Sequence, residues 1–227
     1  MTPTQSTHHT ATDTLRIAIF GASGQVGQRL VAESTRRGHR VTAIARRIPD
    51  EGTHPEGVKT LSRDVLSAED LPQIAADHDI VIAALRPPNG KEPVMVDQTA
   101  AVVEAALASG TRFIIVGGAA PLRFPDAPEH SVFTKPGFLP ASVIPIATAS
   151  QHQHDWLKPR LGALGTLLCP PPMLVAGERT ERYRIGEGTL VVDDAGDSGI
   201  SIEDFAVALL DEAEHPTHTG RVFTVAY

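Results

Sequence analysis

Three glycines at intervals of three residues constrain this chain more than any other feature. They stand between an apolar, β-branched run at residues 15–20 and an amphipathic run at residues 28–38. A turn of this kind points the N-terminus of a helix, with its free N–H groups and positive dipole end, at a phosphate group. The pattern therefore predicts a strand, a phosphate-binding turn and a helix; a glycine-rich turn without a ligand is the alternative. The residues predicted to hold linked phosphates are Gly21, Ser23, Gly24, Gln25, Val26 and Gly27.

Strand-like and helix-like runs alternate along the rest of the chain. Short apolar runs are followed by longer amphipathic runs, which is typical of a parallel sheet covered by helices. Helix caps are predicted at Ser67 with Asp70 and at Ser201 with Asp204. The sequence therefore predicts an α/β fold, a Rossmann-like doubly wound parallel sheet. The predicted strands are residues 15–20, 39–45, 58–64, 79–85, 111–118, 162–172 and 221–227, and the predicted helices are residues 28–38, 71–76, 96–110, 147–158 and 205–215.

Length and composition indicate one domain. The chain has 227 residues, of which 41% are hydrophobic, and a chain of this size can bury about 70% of its unfolded surface. Residues 1–14 lack a hydrophobic period, which predicts a disordered tail, and residues 15–227 are predicted to form a single domain with a small C-terminal substrate-side region. No apolar run reaches the roughly 18 residues of a membrane span, and no secretion signal precedes the first strand. We therefore expect no membrane contact and a cytoplasmic location.

The charge balance excludes some partners. The 27 acidic residues outnumber the 20 basic ones, and only 4% of residues are aromatic. Nucleic-acid binding proteins usually have the opposite charge and aromatic platforms for bases, so we expect no nucleic-acid partner. The lone Cys169 offers neither an internal disulfide nor a metal cluster, and no metal is expected. A small-molecule substrate is expected, and a monomer or a homodimer is equally compatible with the sequence.

Two arginines at the end of the second predicted strand indicate which dinucleotide is bound. A carboxylate there would bind the ribose 2′-hydroxyl of NAD, whereas arginine accommodates the 2′-phosphate of NADP. Arg46 and Arg47 occupy this point, which favours NADP(H) as the cofactor; solvated surface charges are the alternative. Asp64 and Val65, at the end of the third strand, are placed to meet the adenine, although an Asp after a strand is also a common turn residue.

Two segments resemble a known superfamily. Residues 17–46 (IAIFGASGQVGQRLVAESTRRGHRVTAIAR) resemble the opening of the atypical short-chain dehydrogenase/reductase superfamily, an NAD(P)H-binding group that includes biliverdin reductase B and the NmrA-like proteins. Residues 177–216 are similar to the corresponding segment of the bacterial NADH-flavin reductase-like family. The resemblance implies that residues 15–227 form an NAD(P)-binding Rossmann-like domain. It also implies that the cofactor lies over the carboxyl ends of the strands, at Gly21 to Gly27, Arg46, Asp64, Ala84, Leu85, Arg86, Gly117 and Gly118, with Pro171, Pro172 and Met173 near the nicotinamide carboxamide.

One departure from the superfamily bears on the reaction. Typical short-chain dehydrogenases have Tyr-x-x-x-Lys on the helix after the fifth strand, but this chain contains only Tyr183 and Tyr227, and neither is followed by lysine at that spacing. Reduction of a ketone needs a proton donor, whereas a flavin ring spreads the incoming charge. The leading hypothesis is an NADPH-dependent oxidoreductase that passes hydride to a flavin (FMN or FAD) or a similar conjugated acceptor. The alternatives are a non-catalytic NmrA-like NADP(H) sensor and a carbonyl reductase or epimerase.

Two histidines could replace the missing proton donor. His152 and His154 lie on the helix where the tyrosine and lysine would stand, and histidine can donate a proton near neutral pH. Because they are two residues apart, at most one should face the cleft; surface histidines are the alternative. The cleft is predicted to be roofed by residues 121–145 and 173–190. Arg179 is expected to pair with an acidic neighbour.

Overall fold

The computed structural model describes residues 14–47 and 57–227. Its strands, within these ranges, are β1 (Arg16–Phe20), β2 (Arg40–Ala45), β3 (Lys59–Ser62), β4 (Ile80–Ala83), β5 (Arg112–Val116), β6 (Gly165–Cys169), β7 (Met173–Val175), β8 (Arg184–Gly186), β9 (Gly199–Ser201) and β10 (Val222–Ala226). Its α-helices are α1 (Gln25–Arg36), α2 (Leu71–Ala76), α3 (Met95–Ser109), α4 (Ile144–Leu157) and α5 (Ile202–Glu214).

The principal sheet has eight strands in the order β3-β2-β1-β4-β5-β6-β10-β8. Every neighbouring pair is parallel except β10 with β8, and β7 pairs with β9 separately. The chain runs outward from β1 to β2 and β3, then returns to the other side of β1 with β4. The predicted Rossmann-like α/β fold is therefore confirmed. Its strand order reverses between β1 and β4, the point at which such sheets bind ligands.

Helices cover both faces of this sheet. Ile17 and Ile19 of β1 pack in a core layer with α1 and α5, whereas Ala18 and Phe20 belong to a second core layer with α2, α3 and α4. Successive residues of a strand point to opposite faces, so β1 contributes to both layers. Burial on both faces explains why the central strands are continuous apolar runs rather than alternating ones.

One predicted helix cap is confirmed and the other is wrong. The Ser201 hydroxyl accepts a hydrogen bond from the N–H of Asp204 at 3.0 Å and caps α5. Ser67 does not cap α2, because it lies four residues before the helix begins, in a turn after β3 where its N–H donates to the carbonyl of Asp64. The helix begins instead at Leu71, after Asp70, whose carboxylate binds Arg63.

Some element boundaries also differ from the prediction. Helix α1 begins at Gln25 rather than residue 28, and α4 begins at Ile144, one turn before residue 147, because Pro145 suits the first turn of a helix. Residues 184–186, predicted as part of a roof, form β8 at the edge of the sheet instead. The two predicted roof segments do touch, since Arg123 forms a bridge with Thr189.

The predicted tail lies outside the described residues, apart from Thr14. Within the part of the chain that the structure describes, no helix is both long and apolar enough to cross a membrane.

Candidate nucleotide-binding site

The glycine turn between β1 and α1 is folded tightly on itself. Gly21 has a φ of +82°, and a Cβ there would lie 2.3 Å from the carbonyl oxygen of Ala84. A Cβ on Gly27 would lie 2.1 Å from the carbonyl oxygen of Gly21. Glycine is therefore required at both positions by the fold itself, because the turn is pressed between α1 and the end of β4.

Gly24 has a different role in the same turn. It is the N-cap of α1, and a Cβ there would meet only the Gly21 carbonyl oxygen, at 3.3 Å. Among the described residues no side chain caps this helix, and its first turn has no acidic residue. The N-terminus of α1, with the backbone N–H groups of Gln25, Val26 and Gly27, thus keeps its positive dipole end available for an anion.

The cavity beside this turn lies at the carboxyl ends of four strands. It has a volume of about 130 Å³ and sits at the reversal of strand order between β1 and β4. Nine predicted cofactor residues line it: Gly21, Ser23, Gly24, Arg46, Asp64, Val65, Ala84, Leu85 and Arg86. Five residues that were not predicted to bind the cofactor also line it: Phe20, Ile44, Ala45, Arg63 and Gln98.

Two of these additional residues are polar. Arg63 binds Asp70 through its guanidinium, with Nε 2.8 Å from Oδ2, and so places a positive charge beside Asp64. Gln98 of α3 is only 5% exposed. The sequence signal for Gln98 is a polar residue that, with Thr99, interrupts the otherwise apolar buried side of α3.

Two larger cavities lie elsewhere. One, of about 440 Å³, is at the amino ends of β1, β2 and β3. The other, of about 810 Å³, lies beside the start of β10 and the end of α4. Volume alone would favour either, but parallel sheets bind nucleotides outside their carboxyl ends. We therefore assign the candidate site to the smaller cavity beside the glycine turn.

Four predicted cofactor residues follow β5 and β6 and do not line this cavity: Gly117, Gly118, Pro171 and Met173. A Cβ on Gly118 would lie 2.3 Å from the Ser150 hydroxyl oxygen of α4, and a Cβ on Gly117 would lie 2.9 Å from Leu167 Cδ1. Close packing therefore already explains why glycine occupies both positions, whether or not a cofactor binds there. Arg47 lies next to Arg46 with an exposed side chain, also outside the cavity lining.

Neither histidine of α4 lines the cavity beside the glycine turn. His152 is exposed. The side chain of His154 is 15% exposed, with Nδ1 2.9 Å from Asp155 Oδ1, and it lines the 810 Å³ cavity with Arg221 and Lys158. Helix α4 runs from the carboxyl end of β5 back towards the start of β6, so these histidines lie on its later turns. The structure does not bring them together with the nine residues of the cavity.

Both tyrosines are engaged in structural hydrogen bonds. The Tyr183 hydroxyl donates to Asp211 Oδ2 at 2.5 Å, and burial together with this carboxylate raises the pKa of Tyr183. The Tyr227 hydroxyl donates to Asp204 Oδ2 at 2.7 Å. Neither phenol is therefore available as the proton donor that typical short-chain dehydrogenases use.

The predicted ion pair of Arg179 is present. Its Nε lies 2.8 Å from Glu33 Oε2 on α1 and its second terminal nitrogen 3.0 Å from Glu33 Oε1. The same carboxylate binds Arg36 and Arg37. Cys169 is buried, and desolvation raises the pKa of its thiol to about 12, so it is chemically inert.

Sequence comparison identifies a family. Residues 21–216 match a family described as NAD(P)H-binding. The chain is 34% identical over 215 residues to the uncharacterized protein YwnB of Bacillus subtilis, an alignment that covers 93% of this chain and 98% of YwnB.

Two solved structures with the same fold have names that refer to a class of enzyme. A "putative epimerase" from Bacteroides thetaiotaomicron is 31% identical, with a TM-score of 0.85 and coverage of 95% of this chain and 98% of that one. SP1627 of Streptococcus pneumoniae, a "putative NADH-flavin reductase", is 25% identical, with a TM-score of 0.83 and coverage of 93% and 99%. The glycine turn, the cavity at the strand reversal and the sequence match agree, and this chain belongs to the NAD(P)H-binding family.

Proposed function

We propose that this protein is an NADPH-dependent reductase that transfers hydride to a flavin or a similar conjugated acceptor. The observation that carries the proposal is the acid-free N-terminus of α1, which opens from a glycine turn at the strand reversal beside Arg46. An anion-binding turn and an arginine at the end of β2 suit a dinucleotide that has a 2′-phosphate. SP1627, with the same fold, is named for the reduction of flavin.

Different residues of the chain would bind different parts of the cofactor. The backbone N–H groups of Gln25, Val26 and Gly27 would bind the linked phosphates, while Arg46 and Arg47 would bind the 2′-phosphate. Asp64, Val65 and residues 84–86 would surround the adenosine, and Gly117, Gly118, Pro171 and Met173 would border the nicotinamide. When bound, the reduced nicotinamide supplies the hydride.

The acceptor class follows from the missing proton donor. Because both tyrosines bind carboxylates, a ketone would have to obtain its proton from another group. A conjugated ring can take the hydride with less help, since it delocalises the added charge, and positioning then supplies much of the catalysis. A carbonyl reductase or epimerase is the second candidate, favoured by the name of the Bacteroides relative; it would require His152 or His154 to reach its substrate.

The test is the oxidation of NADPH, followed at 340 nm, with and without FMN or FAD. We expect flavin-dependent loss of NADPH that is retained in the His152→Ala and His154→Ala variants. Binding of NADPH without oxidation by either flavin would instead favour a non-catalytic sensor. Loss of turnover in a histidine variant would favour the second candidate.

The same assay tests the cofactor preference. Arg46→Ala should raise the KM for NADPH about tenfold or more and change the KM for NADH little, because only NADPH has the 2′-phosphate. Arg40→Ala is the matched control, since Arg40 is an exposed arginine at the opposite end of the same strand. Equal effects of Arg46→Ala on the two cofactors would contradict the 2′-phosphate contact.

A further inference from the structure

Gln98 is a buried amide in the wall of the cavity beside the glycine turn. The residue is 5% exposed, and within the described residues its Oε1 atom has no hydrogen-bond partner. A buried acceptor without a partner costs about 1–3 kcal/mol, and such groups are rare in folded proteins. Gln98 is also among the residues that line the cavity, so a rotation of its amide would bring this acceptor to a donor on a bound ligand.

The neighbours of Gln98 indicate which part of a dinucleotide it meets. Arg46, Asp64 and Val65, from the ends of β2 and β3, line the same cavity. The residues expected beside the nicotinamide, Gly118 and Pro171, follow β5 and β6 and do not line it. Gln98 therefore belongs to the adenosine half of the site.

The position of Gln98 is held by the packing of α3 on α4. Its neighbour Thr99 accepts a hydrogen bond from Gln153 Nε2 at 2.9 Å and donates to the Met95 carbonyl at 2.8 Å. These bonds join the two helices on the buried side. The amide is consequently presented on a rigid element, as a group that discriminates between ligands needs to be.

Asp64 is another hydrogen-bond acceptor in the cavity wall, and one of its oxygens already has a partner within the protein. Asp64 Oδ1 accepts the N–H of Leu66 at 3.1 Å, in the turn after β3. Gln98 Oε1, by contrast, accepts no hydrogen bond from residues 14–47 or 57–227. An amide can also pair with adenine through two bonds at once, accepting from the N6 amino group and donating to N7.

We propose that Gln98 binds the N6 and N7 edge of adenine and sets the purine specificity of the site. The inference rests on the proposed function, that is, on a nicotinamide dinucleotide that binds in this cavity. Hypoxanthine has an oxygen in place of the amino group, so its O6 and N7 atoms are both acceptors and the amide can satisfy only one of them. The site should therefore discriminate against a cofactor with hypoxanthine in place of adenine.

The experiment compares the affinities for NADPH and for reduced nicotinamide hypoxanthine dinucleotide phosphate, measured by nucleotide fluorescence. The wild-type protein should bind NADPH about tenfold more tightly than the hypoxanthine analogue. Gln98→Leu should weaken NADPH binding about tenfold and leave the analogue within about twofold, so that the preference disappears. Gln73→Leu, on the exposed face of α2, should keep the wild-type preference.

Gln98→Glu separates recognition from a loss of structure. Glutamate keeps an acceptor for the amino group, so this variant should retain a preference for adenine even where Gln98→Leu folds poorly. A Gln98→Leu variant with the wild-type preference would overturn the inference, as would a Gln98→Glu variant that has lost all preference. If the wild-type protein binds neither nucleotide, the proposed function itself fails.

Discussion

The three glycines of the turn are required for different physical reasons. Gly21 and Gly27 are needed because a Cβ would collide with backbone carbonyl oxygens at 2.3 and 2.1 Å. At Gly24 a Cβ would lie 3.3 Å from the Gly21 carbonyl oxygen, a tight contact that a shift of a few tenths of an ångström would relieve. The fold therefore tolerates a side chain there far better than at the other two positions, and an approaching ligand is the stronger reason for glycine. One motif thus combines positions that serve folding with a position that serves binding.

Two substitutions separate these reasons. Gly24→Ala should change the free energy of unfolding by about 1 kcal/mol or less but weaken NADPH binding, because the new methyl group stands where the phosphates approach. Gly27→Ala should lower the free energy of unfolding by about 3 kcal/mol, since α1 must move away from the turn. Urea unfolding and NADPH titration measure the two effects. Equal losses of stability in the two variants would contradict this division.

Residues near one another in the chain were easier to predict than residues brought together by folding. The glycine turn is local, and Arg46, Asp64 and Ala84 could be placed because each follows a recognisable strand. Gln98 could not be placed in this way, because a polar residue on the buried side of α3 does not by itself show that this side of the helix meets the cavity.

At the scale of elements, the segment after β7 is attached to both helices on one face of the sheet. Arg179 binds Glu33 of α1, while Asp204 of α5 accepts the N–H groups of Thr180 and Glu181. Glu181 adopts a left-handed backbone with a φ of +61°, which these contacts stabilise. The segment thus acts as a strap that joins α1 to α5.

Glu33 makes the strap sensitive to acid. Burial alone would raise the pKa of Glu33, but hydrogen bonds from Arg36, Arg179 and Arg37 hold it well below its usual range. A lowered pKa in the folded state contributes stability that is present above the unfolded value, about 4.5, and is lost as the pH falls below it.

Glu33→Gln should therefore lower the free energy of unfolding by about 3 kcal/mol at pH 7, because Arg37 and Arg179 lose the buried carboxylate that they share and keep their ion pairs with Asp211, Glu214 and Glu181. The loss should be smaller at pH 3.5, because the wild-type carboxylate then contributes less. Urea unfolding at both pH values measures the difference. Glu178→Gln, an exposed neighbour of Arg179, should change stability little at either pH. A Glu33→Gln effect that is the same at both pH values would show that the carboxylate charge is unimportant.

At the scale of the whole molecule, the site exists because the chain crosses from one half of the sheet to the other. β1 and β4 are neighbours although β2 and β3 lie between them in sequence, and the loops after β1 and β4 diverge to leave the cavity. Cofactor binding should therefore stabilise the entire fold, since the cavity is built from several strands that come together only in the folded chain.

Saturating NADPH should raise the melting temperature. A ligand at 100 times its Kd stabilises the folded state by about 2.7 kcal/mol, which corresponds to roughly 5–10 °C for a chain of this size. Differential scanning fluorimetry with NADPH, NADH and neither measures the shift. An unchanged melting temperature at millimolar NADPH and NADH would contradict the nucleotide site as a whole.

The alternation of apolar and amphipathic runs was enough to predict the parallel sheet, because buried strands and their covering helices each need a local pattern of hydrophobic residues. The glycine spacing likewise predicted the turn, since its conformation depends on residues a few positions apart. Folding alone decided that β8 joins the sheet edge, that neither His152 nor His154 lines the cavity beside the glycine turn, and that Gln98 does. Those outcomes depend on contacts between residues far apart in the chain, and they are set by how the helices and strands pack together.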